Sequence, residues 1–187
     1  MGPTSEEPGA GRELSAELVT ALARVRLFVC DVDGVLTDGR VVYLDGQEQQ
    51  AFSVHDGAAF AWLRAAGVRS AWISGRGCAA TKRRAMELGV QYLRARVADK
   101  AIALGEVQDE LGLSPEETVA IGDDLQDLAL AQRAAVFAAP ANARPEVRAR
   151  AALITRASGG EGAVRELAEH VLRARGAWDG LLARYGA

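Results

Sequence analysis

The sequence predicts an α/β fold, a parallel sheet covered by helices on both faces. Three observations predict it. Short, largely apolar runs at Val25–Cys30, Val68–Ile73, Thr118–Ile121 and Ala134–Ala138 have strand length and lack the polar alternation of a half-exposed sheet. Segments with helical apolar spacing and capping residues separate them. Strands that alternate with helices form right-handed βαβ units, so the strands run parallel and their C-terminal ends share one edge.

Bulk properties bound the rest. A chain of 187 residues, 49% hydrophobic and 25% charged, suits one globular domain with a single sizeable core. A formal net charge of -3 argues against a general nucleic-acid binder. No apolar run reaches membrane-spanning length and the N-terminus lacks a signal-peptide apolar segment, so a cytoplasmic protein is expected. Cys30 and Cys78 form no CxxC pair and are too few for a disulfide framework. Residues 1–14 read as a disordered tail, 15–175 as the domain and 176–187 as a C-terminal tail.

Taken in order, Ser15 reads as the N-cap of a first helix with Leu18, Val19 and Leu22 at helical spacing. Strand 25–30 follows. Val41 to Leu44 and Gln47 to Val54 flank Asp45-Gly46, a pair suited to a type I′ hairpin turn. Asp56 is placed to cap a helix running to Ala66, which Gly67 ends in the left-handed conformation. After strand 68–73 come a helix over 78–88 closed by Gly89, a short strand over 90–93 and a helix over 99–111. Ser114-Pro115-Glu116-Glu117 has the form of a capping box with Pro at the first helical position. Strand 118–121 leads into a short helix over 125–132. Strand 134–138, a helix opened by Pro145, a last strand over 152–154 and a helix over 161–173 complete a Rossmann-like, doubly wound pattern. Trp62 and Trp72 read as core, His170 as solvent-facing, and Trp178 as docked on a neighbouring subunit.

Four polar loops fall on the shared edge: Asp31-Val32-Asp33, Ser74-Gly75-Arg76, Asp99-Lys100 and Gly122-Asp123-Asp124. Open α/β sheets bind ligands outside the strand C-termini. Residues two apart in a strand face the same way, so Asp31 and Asp33 face one centre if the extension continues. Alone, that stretch also reads as a strand entering an Asx-rich turn. Four carboxylates in one crevice repel unless a cation binds among them, and hard oxygen ligands favour Mg²⁺. Lys100, Ser74 and the Gly75 N–H supply donors opposite, which suits a phosphoryl group. Phosphoryl transfer to a carboxylate makes Asp31 the nucleophile, with Asp33 protonating the leaving oxygen and later activating water.

Asp31-x-Asp33-Gly-Val-Leu-Thr-Asp-Gly, Ile73-Ser-Gly-Arg, Lys100 and Gly122-Asp-Asp-x-x-Asp127 resemble motifs I to IV of the haloacid dehalogenase superfamily of phosphohydrolases. The resemblance implies Asp31 as nucleophile and Asp33 as general acid/base. It implies phosphate contacts at Ser74 and Lys100, with Gly75 and Asp124 beside them, and Mg²⁺ held by Asp31, the Asp33 backbone carbonyl and Asp123. Between Asp33 and Ser74 there is room for one hairpin and one helix, and Lys100 to Asp123 is shorter still. The core is therefore capless, and its crevice stays open unless another subunit covers it.

From roughly Ala16 to Arg175 the chain resembles the 3-deoxy-D-manno-octulosonate 8-phosphate phosphatases of that superfamily, through segments 51–57, 138–147 and 155–166. The Gly-Gly-x-Gly-Ala-Val-Arg-Glu run ending at Glu166 is the most specific of these. This implies hydrolysis of a sugar-acid phosphate for lipopolysaccharide biosynthesis, with substrate contacts at Ser53, His55, Asp56, Gly57, Arg76 and Arg84. It also implies a homotetramer joined through the 40–54 hairpin into a central β-barrel, and a C-terminal segment able to fold over a neighbouring active site. Two other readings share the pattern: a phosphatase of a related nine-carbon sugar acid, and a non-catalytic oligomerisation module like that fused to some sialic-acid cytidylyltransferases. The chain departs from the family at His55 (usually Arg), at 93–96 (no Tyr-Gln-Gly) and at Ala59 (usually Gly), all near where specificity is set.

Overall fold

The centre of the fold is β1 (Leu27–Cys30), every residue of which is fully buried. It pairs in parallel with β4 (Arg69–Ser74) on one side and β6 (Thr118–Ile121) on the other. β5 (Tyr92–Ala95) extends the sheet beyond β4, and β7 (Val136–Ala139) and β8 (Leu153–Ile154) extend it beyond β6. The all-parallel order is β5-β4-β1-β6-β7-β8. The chain builds outward from β1 to β5 and then returns to the other flank of β1. That reversal opens a crevice at the strand C-termini. The computed structural model describes residues 14–186, and the reading of 1–13 as a tail lies outside the described residues.

Successive strand residues feed two cores, as the pleat requires. Phe28, Cys30, Trp72, Val119 and Ile121 face the core closed by α1 (Ala16–Ala23), α2 (Val54–Ala65), α3 (Ala79–Leu88) and α7 (Ala163–Ala174). Leu27, Val29, Ala71, Ile73 and Ala120 face the core closed by α4 (Lys100–Leu111), α5 (Leu128–Ala131) and α6 (Pro145–Arg148). A β1 residue that is polar therefore has nowhere to go until the strand ends, at Asp31.

The hairpin, β2 (Val42–Leu44) and β3 (Gln47–Gln49), stands outside the main sheet. Asp45 and Gly46 take φ of 51° and 75°, the type I′ pattern that Asp-Gly predicts. Its second strand stops at Gln49, shorter than expected, because Ser53 begins the next helix.

Several expectations are corrected. Ser53, not Asp56, caps α2, accepting from His55 N and Asp56 N. β5 starts at Tyr92 because Val90 is consumed in closing α3: its N–H bonds Ala85 O while Gly89 sits at φ 65°. Pro115–Glu117 make one 3₁₀ turn and Leu125–Asp127 another, because β6 and α5 follow at once. The segment read as a C-terminal tail is helical, α8 (Trp178–Arg184). Trp178 and Leu181, three apart, lie on one face and pack into this chain's own core, Trp178 meeting Trp62 edge-on at 6.1 Å. Trp178 thus does not depend on a neighbouring subunit for burial. Trp72 is fully buried, but Trp62 only partly so, under the Arg165 guanidinium at 3.7 Å. His170 is half-buried, not solvent-facing, and burial holds its pKa below the ordinary value. Among the described residues no helix is long and apolar enough to cross a membrane.

Candidate active site

Asp31 and Asp33 share the crevice without sharing a strand. β1 ends at Cys30, and the chain turns at Val32, whose carbonyl accepts from Val35, Leu36 and Thr37 N–H. The condition of continued extension therefore fails, yet the turn itself returns both carboxylates to one wall. The crevice, about 430 Å³, is lined by Asp31, Asp33, Gly75, Arg76, Lys100, Asp123, Asp124, Gln126 and Asp127, with Gly39 at its rim.

Lys100 is the first residue of α4, set there by Asp99, whose carboxylate caps the helix through Ala101 N and Ile102 N. Its ammonium donates to Asp31 Oδ1 at 2.6 Å and Asp127 Oδ1 at 2.5 Å, with all three side chains buried. Asp127 Oδ2 accepts from Asp123 N and Asp124 N, so Asp127 shapes the loop after β6. Asp33 is held at both oxygens: Gln50 Nε2 donates to Oδ1 at 2.9 Å and Ser74 Oγ to Oδ2 at 3.2 Å. Arg76 pairs with Glu48 of β3 at 2.9 Å.

Asp31, Asp123 and Asp127 each offer an oxygen, all within 4.8 Å of one another, against the single ammonium of Lys100. Burial first, then the Asp127 charge, raises the Asp31 pKa well above the carboxylate range despite Lys100. Burial, then Asp127 and Asp124, brings Asp123 up to about 7. Lys100 is itself raised: burial opposes its charge, but the two carboxylates win. Asp123 Oδ1 is buried with no hydrogen-bond partner. An excess of hard, close oxygens with one left unpaired fits a divalent cation such as Mg²⁺.

Glycines let the walls meet. A Cβ at Gly34 (φ 88°) would stand 2.2 Å from Asp123 Oδ2. On the other face of that turn, a Cβ at Gly159 would stand 1.7 Å from the Gly34 carbonyl oxygen. The Gly-Gly run thus backs the turn that carries Asp33, and Gly160 N–H bonds Val35 O at 2.9 Å. Its far end is fixed by Asp56, whose carboxylate accepts from Gly162 N at 3.1 Å and Arg165 N at 2.8 Å.

Five residues expected at the substrate do not line the crevice. Asp56 is spent as the cap of α7, where burial pushes its pKa up against those backbone bonds. Ser53 caps α2, and His55 is exposed on that helix's first turn. Gly57 is where α2 and α3 meet: a Cβ there would stand 2.4 Å from Arg84 Nη2, so the guanidinium, which also pairs with Glu87, occupies that space. Arg76, Gly75 and Asp124 do reach the crevice; Ser74 reaches it through Asp33. Sequence reasoning assigns no role to Asp127 or Gln50. The four-residue step from Asp123 is a signal for the first, but nothing marks a glutamine in a polar hairpin.

The family described as haloacid dehalogenase-like hydrolase matches residues 93–167, the stretch holding Lys100, Asp123 and Asp127. The 3-deoxy-D-manno-octulosonate 8-phosphate phosphatase of Escherichia coli K12 is 34% identical over 168 residues, 89% of each chain. The chain belongs to this phosphatase family. The Moraxella catarrhalis phosphatase of that name, solved with magnesium ion, phosphate ion and KDO, superposes with a TM-score of 0.88 at 36% identity, covering 90% of this chain and 98% of that one. A hypothetical protein from Xanthomonas campestris reaches 0.90 at 41% identity, covering 94% and 97%. The chain is accordingly a phosphatase, a phosphoric monoester hydrolase, which sets aside the non-catalytic module.

Proposed function

We propose that this phosphatase hydrolyses 3-deoxy-D-manno-octulosonate 8-phosphate to the free sugar acid and phosphate, in the cytoplasm, for lipopolysaccharide biosynthesis. The observation that carries the substrate is the near full-length likeness to enzymes named for it, one of them solved with magnesium, phosphate and KDO. A nine-carbon sugar-acid phosphate is the second reading, since the same motifs would serve that ester. Steady-state rates on both esters decide; a higher kcat/KM on the nine-carbon ester would overturn the first.

In this reading an Asp31 carboxylate oxygen attacks phosphorus as the bond from phosphorus to the sugar C8 oxygen breaks, and Asp33 gives that oxygen its proton. Asp33 then takes a proton from a water whose oxygen attacks the aspartyl-phosphate, releasing phosphate and restoring both carboxyls. Lys100 holds Asp31 by Oδ1 and leaves its other oxygen to react. Mg²⁺, held by Asp31, the Asp33 carbonyl and Asp123, would neutralise charge between the carboxylates and the phosphate oxygens. The chemistry is tested by Asp31→Asn: turnover lost with an unchanged circular-dichroism spectrum is expected, and undiminished hydrolysis would sink it.

The hairpin is the assembly surface in this reading. Val42, Tyr43 and Leu44 are more than half exposed, and a lone two-stranded hairpin is marginal in water. A homotetramer built on it is expected by light scattering, with Val42→Glu/Leu44→Glu falling to a smaller species.

A further inference from the structure

Gln50 follows β3 and lies two residues beyond Glu48, and the two bond residues that line the crevice, Asp33 and Arg76. Glu48 holds Arg76; Gln50 holds Asp33. The Gln50 amide has only one satisfying orientation. The Asp33 carboxylate accepts, so the amide nitrogen must face it at 2.9 Å. The amide oxygen then receives the Thr81 hydroxyl at 2.6 Å and the Cys78 thiol at 3.1 Å, both from the start of α3. Thr81 is buried and Cys78 half-buried, so these two donors are not freely exchanged for water.

We infer that Gln50 is a positioning residue for the reaction: a relay that lets α3 fix the rotamer of Asp33 through the hairpin. It rests on Asp33 being the general acid/base. Ser74 donates to Asp33 Oδ2 from the end of β4, and Gln50 donates to Oδ1 from beyond β3, so the carboxyl plane is set by two separate elements. Loss of the relay leaves Asp33 present but turned away from the leaving oxygen. The acid step then suffers most, and it suffers in proportion to how much the leaving group needs a proton.

The test compares p-nitrophenyl phosphate, a good leaving group, with phenyl phosphate, a poor one, in Mg²⁺ with the full chain. Neither ester carries a sugar acid, so a wrong assignment of the octulosonate alters nothing here. Gln50→Glu keeps the oxygen that Thr81 and Cys78 bond but replaces the donor with a charge facing Asp33. For this variant kcat/KM on phenyl phosphate should fall about 100-fold and on p-nitrophenyl phosphate about tenfold or less, with KM little changed. Thr81→Val, which lets the amide turn, should show the same skew at smaller size, and the double variant should lose no more than Gln50→Glu alone. Equal losses on both esters, or none, overturn the relay. Asp33→Asn separates the two ideas. If it shows the skew and Gln50→Glu does not, the relay alone fails. If Asp33→Asn shows no skew, the acid role of Asp33 fails and the relay with it.

Discussion

Gly159→Ala is the sharpest test of how the Gly-Gly run supports the site. The new methyl would begin 1.7 Å from the Gly34 oxygen, 2.5 Å from the Gly34 carbonyl carbon and 3.1 Å from Val35 Cα, all backbone atoms. An ordinary C···O contact is about 3.3 Å, so relief needs roughly 1.5 Å of relative backbone movement. The turn cannot retreat freely, since Gly34 already lies against Asp123 on its other face. Gly159 is not in the left-handed region, so the contact, not strain at the new residue, sets the cost. Overpacking of this kind costs about 2–3 kcal/mol, below the total stability of an ordinary domain, so the protein stays folded. A shift near 1 Å next to Asp33 costs about 100-fold in kcat/KM. Gly180→Ala in α8 is the control: nothing lies within 4 Å, and alanine there should add about 0.5–1 kcal/mol with full activity. Urea denaturation followed by tryptophan fluorescence reads the stabilities, and aryl-phosphate hydrolysis the rates. Wild-type kcat/KM in Gly159→Ala would refute the account of the turn as a rigid support.

Other outcomes follow from the same contacts. Asp56→Ala leaves the Gly162 and Arg165 N–H groups without their acceptor and should lower urea stability by about 2–3 kcal/mol, while binding constants for phosphate stay unchanged. Asp123 rises from 3.8 to about 7 in the fold, so the folded state holds an extra proton between those values. That contribution is fully present below the lower value and lost progressively as pH rises to about 7; the metal-free thermal midpoint should therefore fall between about pH 4 and pH 7 and level off above. Mg²⁺ should restore more at the higher pH, and Asp123→Asn should flatten both trends in differential scanning fluorimetry. Trp178→Ala removes a buried anchor of α8 and should cost about 3 kcal/mol in the same urea assay, with kcat unaffected because α8 packs against the α2 end remote from the crevice.

The sequence by itself determined the α/β class, the positions of the main strands, the type I′ hairpin turn and the four loops that meet at the crevice. These are local or periodic properties: apolar runs of strand length, caps at fixed offsets, Asp-Gly in a turn, acids where strands stop. A parallel sheet then forces its strand ends together with no further information. Tertiary structure alone decided which side chains in those neighbourhoods were free. Asp56 has the residue type and place of a ligand contact, but partners 106 and 109 residues away bind both its oxygens. Gly57 and Arg84 fill one another's space between α2 and α3. Gln50 looks like any polar hairpin residue until Asp33, Cys78 and Thr81 converge on its amide. Trp178 is a lone aromatic in a polar segment until it packs against Trp62. Each outcome rests on which donor, acceptor or void another segment brings alongside, and no local propensity or period encodes that pairing.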